Sequence, residues 1–179
     1  MSAERLVYVM GPSGAGKDSL LAYARKHVRE PRIAFAHRCD GHENHVELTR
    51  DEFAARAQLG FFALEWSSHG FRYGVGVEID AWLAAGSVVV VSGSRAHLPA
   101  ALERYPQMCV VHIDAAPHVL AERLATRGRE TADEIRARLA RSVRWAVPDG
   151  IALTAIDNSG TLDDAGRVLV ALLEGLARS

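Results

Sequence analysis

The segment Gly11–Ser19, with the sequence GPSGAGKDS, constrains the fold more than any other part of the chain. Two glycines five positions apart, followed by Lys17, match the pattern G-x-x-x-x-G-K-[ST] of a nucleotide phosphate-binding loop. The apolar run Leu6–Met10 predicts a buried strand before the loop, and the residues from Lys17 onwards predict a helix after it. A glycine-rich turn with an exposed lysine is the alternative, but the strand–loop–helix order favours a phosphate cradle on an α/β fold.

The loop predicts which residues hold ATP. They are Gly11, Pro12, Ser13, Gly14, Ala15, Gly16, Lys17, Asp18 and Ser19. Lys17 is predicted to reach the β- and γ-phosphates as a point charge. The residue after this lysine is usually Ser or Thr, whose hydroxyl contacts Mg²⁺, but here it is Asp18 and the hydroxyl follows at Ser19. Either residue is a candidate ligand for the Mg²⁺ that ATP carries, and Asp114, at the end of a later predicted strand, is a weaker one.

The composition limits the classes of protein and partner. A chain of 179 residues, 49% of them hydrophobic, predicts a single globular domain over residues 1–179. A net charge of -1 argues against nucleic acid as a partner, and no apolar run is long enough for a membrane span. Cys39 and Cys109 are expected to be reduced thiols in a cytoplasmic protein. The oligomeric state stays open.

Strand and helix patterns alternate along the chain. Further strands are predicted at Arg32–Ala36, 61–66, 71–76, Val88–Val91, Met108–Ile113 and Ala152–Ile156. Helices are predicted after a capping box at Thr49 and Glu52, at Glu78–Ala85, at Ala96–Arg104, from Pro117, from Thr131 to about Trp145, and at Thr161–Leu176. This order predicts an α/β fold with a doubly wound parallel sheet of the P-loop kinase type. Residues 37–86 interrupt the alternation and predict an inserted subdomain.

Several motifs together resemble the guanylate kinase fold, in the order in which that fold has them. They are the loop, Glu52-Phe53, Phe62-Ala63-Leu64-Glu65, Tyr73-Gly74 and Arg123-Leu124-Ala125-Thr126-Arg127-Gly128. Within that fold the chain is similar to the ribose 1,5-bisphosphate phosphokinase family. The runs that carry this likeness are Lys17–Leu21, Glu43–His45, Tyr73–Asp80 and Ser92–Pro99. The resemblance implies ATP-dependent phosphorylation of ribose 1,5-bisphosphate to 5-phosphoribosyl 1-diphosphate, a step of phosphonate degradation.

The resemblance also implies roles for single residues. Arg127 and Arg138, in a helical lid over about residues 127–145, would close on the transferring phosphate with Lys17. Arg38 and Tyr73, in the acceptor-binding subdomain, would hold a phosphate of the small-molecule acceptor, and Glu65 and Ser92 would line the same site. Arg123, Arg129 and Arg141 are neighbouring candidates. For any one arginine, an ordinary surface ion pair with the nearby acidic residues is the alternative.

Two positions favour a pentose acceptor over a guanine nucleotide. Guanylate kinases typically have a hydroxyl residue where this chain has Val75, and an acidic residue where it has Ser92. A pocket without those partners loses discrimination for the base. Glu65 points the other way because it resembles a guanylate kinase residue. A guanylate kinase and a catalytically idle binding module therefore remain alternatives, and a regulatory ATPase is a weaker one.

The segment from Arg32 to Glu43 is shorter than the corresponding stretch of the family it resembles, which leaves the alignment of Arg38 open between two family arginines. Four potential metal ligands crowd this region. They are His37, Cys39, His42 and His45. They lack the paired spacing of a zinc site, so imidazoles that face solvent or the acceptor are the favoured interpretation.

Overall fold

The computed structural model describes residues 5–39, 46–68, 70–128, 131–143 and 150–179, without the side chains of 141–143. The strands are β1 (Leu6–Met10), β2 (Ile33–Phe35), β3 (Arg38–Cys39), β4 (Phe62–Ser68), β5 (Phe71–Gly76), β6 (Val88–Ser92), β7 (Cys109–Asp114) and β8 (Leu153–Asp157). The helices are α1 (Lys17–His27), α2 (Arg50–Gln58), α3 (Glu78–Ala84), α4 (Leu98–Arg104), α5 (Pro117–Arg127), α6 (Ala132–Val143) and α7 (Leu162–Arg178), with a 3-10 turn at Arg95–His97.

Five strands form a parallel sheet in the order β2-β6-β1-β7-β8. β1 lies at its centre with all five residues buried, and the valines of β6 are buried as well. Continuous apolar runs of this kind suit strands that are covered on both faces. One face packs against α1, α5 and α7, and the other against α3, α4 and β4. The predicted doubly wound α/β fold is confirmed.

A second, three-stranded antiparallel sheet has the order β3-β5-β4. It lies within the segment 37–86 that was predicted to be inserted. Trp66 and Leu64 of β4 share a buried cluster with Tyr8 of β1, so the small sheet packs against the parallel one. β3 was not predicted, because two residues carry no periodicity and the strand exists only through its pairing with β5. A Cβ atom at Gly74 would lie 2.5 Å from the ring of Phe62, which explains the glycine there.

The helix termini follow the sequence closely. The predicted capping box is present: Thr49 N–H donates to Glu52 Oε2 over 2.8 Å, and Glu52 N–H donates to Thr49 Oγ1 over 3.2 Å. The same arrangement joins Thr131 and Glu134 at the start of α6. These hydrogen bonds hold the pKa of both glutamates below the ordinary value. The helix predicted at 96–104 starts later, at Leu98, because a 3-10 turn precedes it.

Two further predictions concern the cysteines and the possibility of a membrane-spanning helix. Cys39 and Cys109 form no disulfide with each other, as expected for reduced thiols. Among the helices in the described part of the chain, none is long and apolar enough to cross a membrane. Trp145, the expected end of the lid helix, lies outside the described residues, and α6 is described to Val143.

Candidate active site

The phosphate-binding loop joins the central strand β1 to α1. Gly14 and Gly16 have φ angles of +87° and +83°, a region that side chains rarely enter. A Cβ atom at Gly11 would lie 2.2 Å from the carbonyl oxygen of Ile113. Gly16 is the N-cap residue of α1 and supplies no side-chain hydrogen bond to it. The first backbone N–H groups of the helix therefore face the loop, which is the arrangement that binds the phosphates of a nucleotide.

Lys17 links the loop to the neighbouring strand. Its side chain is 14% exposed, and Nζ donates to Ser92 Oγ over 2.7 Å and to Asp18 Oδ1 over 3.2 Å. Ser92 is the last residue of β6, which pairs with β1 and ends beside the loop. The sequence assigned Lys17 to the ATP side and Ser92 to the acceptor side. The structure brings these two predicted site residues into direct contact.

Arg38 approaches the same hydroxyl group from the small sheet. Its Nη1 donates to Ser92 Oγ over 3.3 Å, and its guanidinium lies 4.8 Å from the centroid of the Tyr73 ring. Two positively charged groups, the ammonium of Lys17 and the guanidinium of Arg38, therefore converge on one neutral oxygen. A concentration of like charge of this kind favours an anion between or beside the two groups.

A cavity of about 460 Å³ lies between the phosphate-binding loop and the small sheet, and we call it the inter-sheet cavity. Its lining residues are Gly11, Pro12, Ser13, Arg38, Trp66, Ser68, Tyr73, Gly93, Ser94, Arg95 and Ala96. None of these lining residues is acidic. Trp66 stacks on Tyr73 with ring centroids 5.6 Å apart, and on His97 with centroids 5.2 Å apart. The stack forms a firm aromatic wall on one side of the cavity.

A second cavity, of about 600 Å³, lies beside the start of α1, and we call it the α1–α5 cavity. It is lined by Gly16, Ser19, Val119, Glu122, Arg123, Thr126, Arg127, Asn158, Ser159 and Leu162. Arg123 donates to the carbonyl oxygens of Asn158 over 2.9 Å and Gly14 over 3.4 Å. The amide of Asn158 donates to Ala15 O over 2.7 Å. Arg123 and Asn158 thus hold the phosphate-binding loop through its backbone carbonyl oxygens. Sequence reasoning did not assign this structural role to Asn158.

The two arginines predicted to act on the transferring phosphate lie in different places. Arg138 of α6 donates from Nη1 to Ser13 Oγ over 2.9 Å, so it reaches the phosphate-binding loop. Arg127, the last residue of α5, lines the α1–α5 cavity and is exposed. Arg129 and the side chain of Arg141 lie outside the described part of the structure.

Glu65, which was assigned to the acceptor, lies on the small sheet outside the lining of the cavity. It is exposed on β4 and forms an ion pair with Arg72 of β5, and it does not line the inter-sheet cavity. Val75 is 1% exposed and belongs to the core. A role of Glu65 in acceptor binding stays a prediction, and the described contact of its carboxylate is with Arg72.

The metal predictions concern the start of α1. Asp18, with a side chain that is 63% exposed, and the exposed Ser19 stand next to Lys17, so both could hold Mg²⁺. The described residues contain no group of three or more His, Cys, Asp or Glu side chains arranged to bind a metal ion. His42 and His45 lie outside the described residues, and the possible zinc ligands near Cys39 therefore stay untested. Asp114, the weaker magnesium candidate, accepts a hydrogen bond from Ala115 N–H over 2.8 Å.

Sequence reasoning assigned no role to Arg95, which lines the inter-sheet cavity. Burial lowers the pKa of its guanidinium, and the nearby charge of Asp114 acts in the opposite direction. The residue belongs to the Ser92–Pro99 run that carries the family resemblance, but nothing in that run indicates that its side chain lines a cavity. Sequence reasoning also missed Trp66, because the sequence of a strand does not show that one edge of a buried aromatic ring lines a cavity.

The chain is similar to a family model, to proteins of known family and to a solved structure. A family model described as AAA domain matches residues 7–144. The chain is 97% identical over 184 positions to ribose 1,5-bisphosphate phosphokinase PhnN of Burkholderia mallei, and this match covers 100% of both chains. It is 51% identical to the protein of the same name from Thiobacillus denitrificans, over 97% of this chain and 94% of that one. The fold is similar to a guanylate kinase from Anaplasma phagocytophilum, with a TM-score of 0.67, 13% identity and coverage of 100% and 89%.

The alignment to the Burkholderia mallei relative also bears on the length of the chain. It spans 184 positions and the present chain has 179 residues, so at least five positions of the relative have no counterpart here. The sequence predicts a shortened segment at residues 32–43, beside Arg38. This segment is one place for the absent positions, and that location stays a prediction.

Proposed function

Because the chain belongs to the ribose 1,5-bisphosphate phosphokinase family, we propose that it transfers the γ-phosphoryl group of ATP to ribose 1,5-bisphosphate. The products are ADP and 5-phosphoribosyl 1-diphosphate, and the step belongs to phosphonate degradation in the cytoplasm. An oxygen of the acceptor's 1-phosphate forms the new bond to the γ-phosphorus, and the bond from that phosphorus to the β-bridging oxygen of ATP breaks.

The observation that carries this proposal is the meeting of Lys17 and Arg38 at the Ser92 hydroxyl, over 2.7 and 3.3 Å. Lys17 belongs to the loop that receives ATP, and Arg38 belongs to the small sheet across the inter-sheet cavity. Phosphoryl transfer depends mainly on positioning and on charge neutralisation between donor and acceptor. Ser92 therefore marks the point at which the two substrates come together.

Each predicted site residue then has a chemical task. The backbone of the loop binds the phosphates of ATP, and Lys17 neutralises charge on the β- and γ-phosphates. Asp18 or Ser19 would hold the Mg²⁺ that ATP carries, and the metal would offset the charge of the phosphates. Arg38 and Tyr73 position the acceptor. Arg138, already in contact with the loop through Ser13, stabilises the charge that develops during transfer.

Arg127 has its proposed task on the other side of the loop. It lines the α1–α5 cavity, which extends from Gly16 and Ser19 and offers room for the remainder of ATP. From there it would contribute to charge neutralisation once the segment 127–145 closes over the bound nucleotide. This segment is the proposed lid, and α6 lies within it.

A guanine nucleotide is the less favoured acceptor. The core position of Val75 offers no hydrogen bond to a base edge, and Glu65 is engaged by Arg72. A site built to read a base edge discriminates through such polar groups. An idle binding module is also disfavoured, because Lys17 and Arg138 are both present and both contact neighbours in the site.

A coupled assay of ADP release with MgATP tests the proposal, with ribose 1,5-bisphosphate and GMP compared as acceptors at equal concentration. We expect turnover of the pentose bisphosphate and almost none of GMP. Efficient turnover of GMP without pentose turnover would establish the guanylate kinase alternative. ATP binding without turnover of either acceptor would favour the binding module.

A further inference from the structure

A second arginine faces the inter-sheet cavity opposite the small sheet. Arg95 begins the 3-10 turn after β6, whereas Arg38 belongs to β3 of the small sheet, and both line the same space. Arg38 and Arg95 are the charged side chains among the described lining residues of the cavity, none of which is acidic. The space therefore favours an occupant with several negative charges.

The backbone that carries Arg95 is held firmly in place. The hydroxyl group of the fully buried Tyr8 accepts a hydrogen bond from Ser94 N–H and donates one to Ser94 O, both over 2.9 Å. A Cβ atom at Gly93 would lie 2.0 Å from the Tyr8 ring, so the chain lies directly on this ring. Burial raises the pKa of Tyr8 to about 12, so its hydroxyl stays protonated at neutral pH and keeps its two hydrogen bonds to Ser94.

The arginine side chain suits a phosphate group. Its planar fork of N–H donors matches two phosphate oxygens at once, which a lysine does not do. Arg95 is partly buried, so a phosphate that contacts it would be partly shielded from water and bound more strongly than at an open surface. Asp114 is the described carboxylate whose charge acts on it, and Asp114 does not line the cavity.

We infer that Arg95 is a further acceptor-binding residue, which with Arg38 binds the phosphate groups of the acceptor from two sides of the inter-sheet cavity. The inference rests on the proposed function, since it assumes that a phosphorylated acceptor enters this cavity. It adds a source of specificity. Two arginines in one cavity select an acceptor with two phosphate groups over a monophosphate, because the monophosphate leaves one of them without its anion.

The test is the variant Arg95→Gln, measured by steady-state kinetics and by calorimetric binding of ribose 1,5-bisphosphate. We expect the KM and Kd for the acceptor to rise about 10- to 100-fold, the range of a hydrogen bond to a charged group. The KM for ATP should change less than about twofold, since the loop is untouched. Arg104→Gln is the matched control, because Arg104 lies on α4 outside the cavity and pairs with Asp80. It should retain the native acceptor KM.

A purely structural role predicts a different pattern. In that case Arg95→Gln would lower the melting temperature and alter the KM for ATP and for the acceptor alike, and the inference would be overturned. Should this variant fold poorly, Arg95→Lys keeps the charge and loses the fork, and an acceptor KM that stays native in it would equally overturn the inference. If the native chain turned over GMP alone and Arg95→Gln raised the KM for GMP, the proposed function and the selection for two phosphate groups would both fail, while the contact of Arg95 with the acceptor would stand.

Discussion

The two sides of the candidate active site are built in different ways. The ATP side is one contiguous segment, Gly11–Ser19, which is attached to the central strand of the parallel sheet. The proposed acceptor side is assembled from residues far apart in sequence that line one cavity, with Arg38 from β3, Tyr73 from β5 and Arg95 from the turn after β6. The loop lies between one strand and one helix and is held by hydrogen bonds from side chains around the same large sheet, whereas the proposed acceptor side depends on how the small sheet packs against the large one.

This difference predicts how substitutions should behave. Changes in the loop should abolish transfer for any acceptor, because every acceptor needs the ATP phosphates in place. Changes on the acceptor side should alter the KM for the acceptor and leave ATP binding intact. Four substitutions probe the contrast between the two sides, and their predicted effects decrease in the order Lys17, Arg138, Ser92 and His97.

The largest effect is expected for Lys17→Ala. The variant loses the charge that neutralises the transferring phosphate, so kcat should fall by about a thousandfold, the size found when one preorganised charge partner is removed. Turnover is measured by ADP release, and circular dichroism checks that the fold persists. Lys26→Ala, on the exposed last turn of the same helix, should keep native activity. An active Lys17→Ala protein would show that the loop is not catalytic.

Arg138→Gln should lower kcat by about a hundredfold with little change in either KM, because its charge is needed chiefly during transfer. The matched control is Arg136→Gln, since Arg136 lies two residues away on α6, is exposed and pairs with Asp133. Stopped-flow measurement of a single turnover separates chemistry from product release. Equal kcat values in the two variants would remove Arg138 from the transfer step and leave its bond to Ser13 as a structural contact.

Ser92→Ala probes the junction of the two sides, where one hydroxyl group accepts hydrogen bonds from Lys17 and Arg38. Its removal should raise the KM for the acceptor by about 5- to 10-fold, the net value of one typical hydrogen bond. Ser87→Ala, just before the other end of β6, is the control and should behave as the native protein does. An effect on ATP alone would place Ser92 on the donor side.

The smallest effect concerns the aromatic wall. Burial lowers the pKa of His97, so below its unfolded pKa of 6.5 the folded protein binds fewer protons than the unfolded chain, and stability falls as the pH falls. His97→Phe keeps the stack on Trp66 without titrating, and it should reduce the loss of melting temperature between pH 7.5 and pH 5.5 by about 1 °C. The exposed His118→Gln is the control. A loss in His97→Phe as large as in the native protein would contradict the assignment.

The sequence predicted the fold well because its strongest signals are local. Leu6–Met10, the capping box at Thr49 and the Val88–Val91 run each depend on neighbouring residues, and each lies in the predicted kind of element. The family resemblance is confirmed by relatives that cover the chain almost completely. Only the short strand Arg38–Cys39, which has no local pattern of its own, escaped prediction among the described strands.

The site was predicted less evenly, for the same reason. The loop could be recognised from the spacing of its glycines and its lysine, and the structure places Lys17 at the start of α1, where Nζ donates to Ser92 Oγ. The contribution of Arg95 to the inter-sheet cavity could not be identified from the sequence. It depends on the packing of Tyr8 beneath Gly93 and on the distance between the two sheets. Glu65 shows the reverse case, in which a familiar motif residue lies outside the cavity and contacts Arg72 instead.

Phosphorus NMR of a reaction that contains the native protein, MgATP and ribose 1,5-bisphosphate tests the proposed phosphoryl transfer. The account predicts that the acceptor's 1-phosphate signal is replaced by two mutually coupled diphosphate signals, while the 5-phosphate signal persists and ADP accumulates. Two results together would contradict the proposed reaction. The 1-phosphate signal would stay unchanged, and GMP would be converted to a diphosphate when it replaces ribose 1,5-bisphosphate.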